Sequence, residues 1–473
     1  MKKLLHKNTF AKNVGLLAGG TAGTQALTLL IAPLLTRLYS PEDFGLVAVY
    51  SSLLAMISSL SSLTYEMAIP LPKDDEEAAH IMLLSLLITA GISLITTVIS
   101  LFFADVITRV LGVSGLVEYF WLLPVGVILT GVYKVFNNWA VRIKAFSKIA
   151  ATKVHQSLAA TAIQLLAFNY GSIALLLAQV VGQTTGSFGL ARLAITELQH
   201  KKNRLNNICQ AAFRYRKFPL YSSWEVIVNI AAIQLPSILF ASSFGVFSVG
   251  LYSLSNRVLT LPMSVIGHAV SQVFFSDAAK AHHEGRLKDL VNNTHSRLAH
   301  IVLPPLLMLI VVAPDLFSIV FGERWRQAGV YAVWMSPWIY FQFVSSPIST
   351  VYVVLERLRV GALFQLTAFL FRGASLIIGI MSGDILFAIA LFSVVSAICY
   401  IGLLVMVMNM VGNHGISYLL HDLNALFIGG LCVFPLIIGM FLKNIYPDAW
   451  LFLFPLSLIA ITGRYWIIFR GNT

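Results

Sequence analysis

The 473-residue chain is 58% hydrophobic and 11% charged, with a formal net charge of +12. An average soluble domain carries roughly 25% charged residues, so this composition excludes a soluble globular fold and places most of the chain in a membrane. Three cysteines, Cys209, Cys399 and Cys432, show no paired spacing and exclude a disulfide framework or a structural zinc site.

In chain order there are about fourteen apolar runs, each long enough for a helix across a hydrocarbon core of about 30 Å. They lie near 13–36, 44–69, 80–104, 117–139, 149–170, 173–197, 219–243, 250–275, 298–321, 328–355, 361–382, 384–411, 424–443 and 448–469. The runs are continuous rather than alternating, which excludes a β-barrel and predicts an all-α polytopic membrane protein. The first run follows Lys2, Lys3, Lys7 and Lys12 as a signal peptide would, but it is too long and lacks a small-x-small cleavage site, so it reads as a retained helix. Within it, Gly15, Gly19 and Gly23 form a ridge suited to close helix packing.

The second run carries Glu66, followed by Pro70, Pro72 and the acidic cluster Asp74, Asp75, Glu76 and Glu77. An ionised group in hydrocarbon costs about 3 kcal/mol on insertion scales, so Glu66 must face protein or water. Further along, the longest connecting segments are 198–218 and 276–297, and no loop leaves room for a catalytic domain outside the membrane. Trp121, Trp139, Trp224, Trp325, Trp450 and Trp466 fall near predicted helix ends, where an interfacial aromatic belt would place them.

Positive charge orients the helices. With the N-terminus in the cytoplasm, inside segments hold 23 of the 32 Lys and Arg: four at the N-terminus, Lys73, four from Arg142 to Lys153, six from Lys201 to Lys217, four from Lys280 to Arg297, and Arg357, Arg359, Arg464 and Arg470. Arg37, Arg109, Arg324, Arg326 and Lys443 fall outside. The positive-inside rule then predicts two cytoplasmic termini, and the net charge is mostly topology. A nucleic-acid partner is not expected, since no basic segment comes with a soluble fold to hold a duplex.

A weak internal echo divides the chain. Pro33 precedes a hairpin that reaches Gly45-Leu46, and Pro236 precedes one that reaches Gly250-Leu251. Such a repeat predicts two six-helix bundles, 1–200 and 219–411, joined by a cytoplasmic linker at 201–218, with two additional helices at 412–473. A substrate path would run between the bundles.

Polar residues recur at helical spacing inside the helices. The first helix carries Thr21, Thr24, Gln25 and Thr28; the second Ser51, Ser58, Ser62 and Tyr65; the eighth Arg257, Ser264, His268 and Ser271. Such stripes either line a wet cavity or serve as hydrogen-bonded glue between helices. Arg372 falls near a helix middle and Arg257 about seven residues from an end, deeper than Lys134, Glu66 and Glu225. Guanidinium groups at depth suit bidentate binding of a phosphate. Glu66 and Lys134 also suit an internal ion pair. Alternatively, an acid that dries during a conformational cycle takes up a proton, which makes Glu66, then Glu225, then Asp277 the coupling candidates. His282, His283, His295 and His300 lack metal-ligand spacing, and no catalytic constellation can be drawn from spacing alone.

Two strings carry a family resemblance. Tyr65-Glu66-x-Ala68-Ile69-x-Leu71-Pro72-Lys73-Asp74-Asp75-Glu76-Glu77-Ala78 and Arg37-Leu38-Tyr39-Ser40-Pro41-Glu42-Asp43-Phe44-Gly45 resemble the early segments of bacterial polysaccharide-biosynthesis transporters. These are the oligosaccharide flippases of the multidrug/oligosaccharidyl-lipid/polysaccharide exporter superfamily. Leu254-Ser255-Asn256-Arg257-Val258-Leu259-Thr260-Leu261-Pro262 is similar to the eighth-helix motif of lipid II flippases, whose Arg contacts substrate; the acidic position before the proline is Leu261 here.

The resemblance implies a MATE-like fold, no enzymatic activity and no cofactor beyond a coupling proton or sodium ion. It implies translocation of an undecaprenyl-pyrophosphate-linked repeat unit, a precursor of O-antigen, capsule or exopolysaccharide. Translocation would run from the cytoplasmic to the periplasmic leaflet of the bacterial inner membrane, with membrane lipid and a polysaccharide polymerase as partners. Arg257, Arg372, Lys134, Arg37, His268 and Gln25 form the candidate substrate set. Glu66, Glu225 and Asp277 form the candidate coupling set, and no metal site is expected. The alternatives are a cation-coupled multidrug exporter on the same fold and a membrane polysaccharide polymerase or ligase.

Overall fold

The computed structural model describes the backbone of residues 2–198, 206–413, 415–442, 445–446 and 449–470. Helices follow one another as α1 (Lys2–Leu38), α2 (Pro41–Ser59), α3 (Asp75–Val110), α4 (Leu122–Arg142), α5 (Phe146–Leu166), α6 (Ser172–Leu198), α7 (Asn206–Arg214) and α8 (Ser223–Pro262). They continue as α9 (His268–His283), α10 (Leu287–Phe321), α11 (Arg326–Ser345), α12 (Val351–Val354), α13 (Leu358–Met381), α14 (Ile385–Met410), α15 (Gly415–Leu442) and α16 (Ala449–Arg470). No strand occurs among the described residues. Seven helical stretches are long and apolar enough to cross a membrane, one of them the 66-residue run Phe218–His283 that holds two of the predicted spans. The chain is an all-α, polytopic membrane protein.

The chain forms two compact units, Met1–Ser253 and Leu254–Thr473. In the first, α5 packs between α1 and α6, α4 between α3 and α6, and α2 lies against α4 and α6. The start of α2 is written in the sequence: Ser40 Oγ accepts from the Asp43 N–H at 3.2 Å and Asp43 Oδ2 accepts from the Ser40 N–H at 3.0 Å, with Pro41 in the first turn. That capping box supplies partners for backbone donors a helix start leaves orphaned.

In the second unit, α10 packs on α11 and α15, α11 on α14, and α13 on α14. A Cβ on Gly329 would lie 2.4 Å from the Ala313 carbonyl oxygen, so only glycine lets α11 approach α10 this closely. Gly383, with φ of 73°, makes the turn between α13 and α14 in the left-handed region that a side chain disfavours. Met308 and Val312 of α10, Cys432, Val433 and Leu436 of α15, and Trp450 and Ile461 of α16 form one core cluster. The last two helices are thus anchored by burial against α10.

Several expectations are corrected. The run at 44–69 is not one helix: α2 stops at Ser59, Leu63 and Thr64 take positive φ, and a short 3-10 turn at Tyr65–Ala68 carries Glu66. The segment 276–297 is not a long loop, because α9 and α10 extend into it and leave only Glu284–Arg286 between them. The eighth-helix stripe is broken in phase. A π turn at Met263–Gly267 follows Pro262 and inserts an extra residue per turn between Arg257 and His268.

The glycine ridge of α1 is not used as read: Gly19 and Gly23 face open space, and it is Gly20 that lies against α5, where an added Cβ would be 3.1 Å from Ala150 Cβ. Of the tryptophans near helix ends, Trp139, Trp325 and Trp450 are buried in protein, whereas Trp121, Trp224 and Trp466 are exposed. Trp139 fills the core with Ile69, Ile81 and Leu190, so its apolar bulk packs the bundle instead of anchoring it.

Candidate functional site

In the first unit the turn after α2 carries a carboxylate into the interior. Glu66 is 5% exposed and accepts a hydrogen bond from the Ser62 hydroxyl. Lys134 of α4 interacts electrostatically with Glu66 and donates from Nζ to the Ser58 carbonyl at 2.7 Å. A buried charge needs a partner and satisfied hydrogen bonds, and here each charge supplies part of what the other needs. Around them the hydroxyls of Ser58, Ser61 and Thr130 are buried and, among the described residues, without a hydrogen-bond partner. Gly131 lets α4 close on this group: a Cβ there would lie 2.9 Å from Ser61 Oγ and 2.5 Å from Thr89 Cγ2. Glu66 and Lys134, assigned separately to coupling and substrate from sequence, are therefore one buried polar centre.

The segment following Glu66 is held by a residue that sequence reading counted only as topological charge. Arg142, in the last turn of α4, donates from Nη1 to the carbonyls of Pro72 at 2.7 Å and Ile69 at 3.2 Å. It also donates from Nη2 to the Lys73 carbonyl at 3.3 Å and from Nη2 and Nε to Asp75 at 3.0 and 3.2 Å. One planar guanidinium thereby gathers the proline-broken connector onto α4, as its fork of donors allows. Proline cannot donate, and nothing in the spacing of Arg142 announced this partnership. Of the acidic cluster, Asp75 and Glu77 are engaged in this way. Glu77 pairs with Arg214 of α7 at 2.7 Å and accepts from Tyr215 at 3.2 Å, beside a cavity of about 560 Å³ lined by Asp74, Glu76 and His80.

The polar stripes of this unit serve packing more than a cavity. Ser51 donates to Gln179 of α6 at 2.9 Å, Tyr65 donates to the Ala212 carbonyl at 3.0 Å, and Lys153 of α5 donates to Thr21 of α1 at 3.1 Å. Gln25 is half-buried on α1, and Arg37 is exposed in that helix's last turn.

In the second unit Arg257 is exposed on α8, with the Asn256 side-chain oxygen buried and unpartnered beside it. Arg372 is half-buried on α13, and its guanidinium sits 4.6 Å from the centroid of the Tyr400 ring on α14. The Cys399 thiol lies against it, and its Nε is buried without a hydrogen-bond partner. Among the described residues neither arginine pairs with a carboxylate. The aromatic face attracts the cation without neutralising it, leaving its charge available to an anion. The His268 side chain lies outside the described residues. Glu225 and Asp277 are exposed, so of the three coupling candidates only Glu66 is buried. No group of three or more His, Cys, Asp or Glu among the described residues could hold a metal ion.

Residues 34–329 match the family described as Polysaccharide biosynthesis protein. The chain is 24% identical over 335 residues to the succinoglycan biosynthesis transport protein ExoT of Rhizobium meliloti (strain 1021), covering 69% of this chain and 66% of ExoT. It is 23% identical over 190 residues to the teichuronic acid biosynthesis protein TuaB of Bacillus subtilis (strain 168), covering 40% of this chain and 39% of TuaB. The chain thus spans less than two thirds of the length of these relatives.

A multidrug resistance MATE family transporter of the MOP superfamily, solved in inward-facing and outward-facing conformations, shares its fold. The TM-scores are 0.57 and 0.51 at 14% and 13% identity, over 86% and 88% of this chain and 94% and 95% of the other. With its all-helical MATE-like fold and a family match across most of its length, the chain belongs to the polysaccharide biosynthesis protein family.

Proposed function

We propose that the protein is a flippase for an undecaprenyl-pyrophosphate-linked oligosaccharide, working by alternating access in the bacterial inner membrane with both termini in the cytoplasm. One observation carries the reading: among the described residues each buried carboxylate has a cationic neighbour, whereas Arg257 and Arg372 pair with no carboxylate. Among the described residues the buried carboxylates are Glu66 and Asp315. The first is held by Ser62 and Lys134, the second by Arg326 at 2.7 Å. Among the described residues Arg257 and Arg372 have no such partner. A path of this polarity favours an anion, and guanidinium forks fit the oxygens of a pyrophosphate. An exporter of cationic drugs needs the reverse, a buried carboxylate left free.

In this reading Arg257 and Arg372 hold the pyrophosphate and any acidic sugars while the lipid tail stays in the bilayer. Glu66 and Lys134 form the coupling centre. Protonating Glu66 leaves Lys134 buried without its counter-charge, which favours a conformation where Lys134 reaches water. A proton or sodium gradient would drive that exchange, and a polymerase would receive the delivered glycan.

Complementation of a flippase-deficient strain tests the reading, with surface glycan as the readout. The wild-type chain restores glycan, while Arg257→Ala and Arg372→Ala abolish it at normal membrane abundance. Full complementation by both variants would overturn the assignment, and restored drug resistance without glycan would favour a multidrug exporter.

A further inference from the structure

The segment from α7 into the start of α8 presents an exposed face that the transport reading does not use. Nine-residue α7 is about 13 Å long, too short to cross a membrane. Its inner face is pinned to α3: Ile208 and Ala211 are buried, Arg214 reaches Glu77, and Tyr215 donates to the same carboxylate. Burial and the Glu77 charge push the Tyr215 phenol above its ordinary value, keeping it a donor. That rotation is therefore set, and it turns the opposite face outward. Phe213, Leu220, Tyr221 and Trp224, spread over the end of α7, the π turn Phe218–Ser222 and the start of α8, are 68%, 60%, 72% and 68% exposed.

Two cations border this apolar face. The Arg216 guanidinium stacks 4.1 Å from the centroid of the Phe213 ring, and Lys217 follows it, exposed. Among the described residues neither pairs with a carboxylate, whereas Arg214 is already committed to Glu77. The face runs on into Phe218–His283, the stretch apolar enough to enter the bilayer. Aromatic side chains beside unpaired basic ones, at the point where a chain enters hydrocarbon, match the layered chemistry of a lipid headgroup over its acyl chain.

We propose that Phe213–Trp224 is a binding surface for anionic phospholipid. Arg216 and Lys217 engage the phosphate while Phe213, Leu220, Tyr221 and Trp224 enter the upper acyl region. The segment that joins the first six helices to α8 is thereby moored to the leaflet. The assignment does not depend on which substrate is carried; with the orientation proposed above, the leaflet is the cytoplasmic one.

Cys209 makes the test local. It is exposed four residues before Phe213 on the same face, while Cys399 and Cys432 are buried, so a thiol-reactive fluorophore labels Cys209 selectively. The labelled full-length protein is placed in phosphatidylcholine nanodiscs doped with nitroxide-bearing phosphatidylglycerol or nitroxide-bearing phosphatidylcholine. Quenching by the phosphatidylglycerol probe should exceed that by the phosphatidylcholine probe. Arg216→Gln with Lys217→Gln should lower the preference by about five-fold per charge removed, while gel filtration shows the fold unchanged. Equal quenching by the two probes in the wild type, or an undiminished preference in the double variant, would overturn the proposal. Loss of quenching in the labelled protein, with Cys209–Cys209 disulfides forming in a parallel unlabelled sample, would instead identify a second copy as the occupant and also overturn it.

Discussion

Gly45 and Gly250 are packed against each other reciprocally. A Cβ on Gly45 would lie 1.8 Å from the Val246 carbonyl oxygen and 3.1 Å from the Gly250 nitrogen; one on Gly250 would lie 1.8 Å from the Pro41 carbonyl oxygen and 3.1 Å from the Gly45 nitrogen. Each glycine thus faces the carbonyl four residues before the other, the pattern two-fold-related helix segments produce. These are the two glycines that the internal echo in the sequence aligned. No side chain fits between the backbones, so Gly45→Ala and Gly250→Ala must push the helices apart. Overpacking costs about 1–3 kcal/mol, and each variant should lower the thermal midpoint of the purified protein, read by tryptophan fluorescence. An unchanged midpoint in both would mean the contact is not closed in solution.

Arg142 is the next residue to change. Replacing it with Ala leaves three carbonyls and Asp75 without their donor, at a cost of about 2–4 kcal/mol. Arg142→Lys should recover only part, because an ammonium lacks the planar fork. Limited proteolysis at Lys73 checks this: cleavage should rise in the order wild type, Lys, Ala.

Glu66 and Lys134 call for a double-mutant cycle. Lys134→Met alone strands a buried carboxylate and should cost about 3 kcal/mol; adding Glu66→Gln should return much of that. If the two costs add, the residues do not form one centre. For transport, Glu66→Gln should remove the dependence of glycan export on the ion gradient.

Arg372 and Tyr400 separate charge from packing. Tyr400→Phe keeps the ring under the guanidinium and should leave export near wild type, whereas Tyr400→Leu should reduce it several-fold through loss of the cation–π contact, worth about 1 kcal/mol. Arg372→Ala should reduce export more than either. Equal loss in Tyr400→Phe and Tyr400→Leu would point to the phenol rather than the ring.

Composition and apolar run length determined the class of this protein, because a hydrocarbon core of fixed thickness leaves few other structures for such a chain. The sequence also placed Glu66 against protein or water and offered Lys134 as its neighbour, since a buried charge is costly, and the structure buries Glu66 within electrostatic reach of Lys134. Local pattern did not reveal where α2 stops, that 276–297 is helical, or which tryptophans are buried. Hydropathy scores a window by its solubility, whereas positive φ at Leu63 and Thr64 and the core around Trp139 depend on neighbours distant in sequence. Only the tertiary structure showed Arg142 gathering the connector and Arg372 resting on Tyr400, because those partners lie 67 or more and 28 residues away. A charge in a helix is visible in sequence; what neutralises it is decided by the fold.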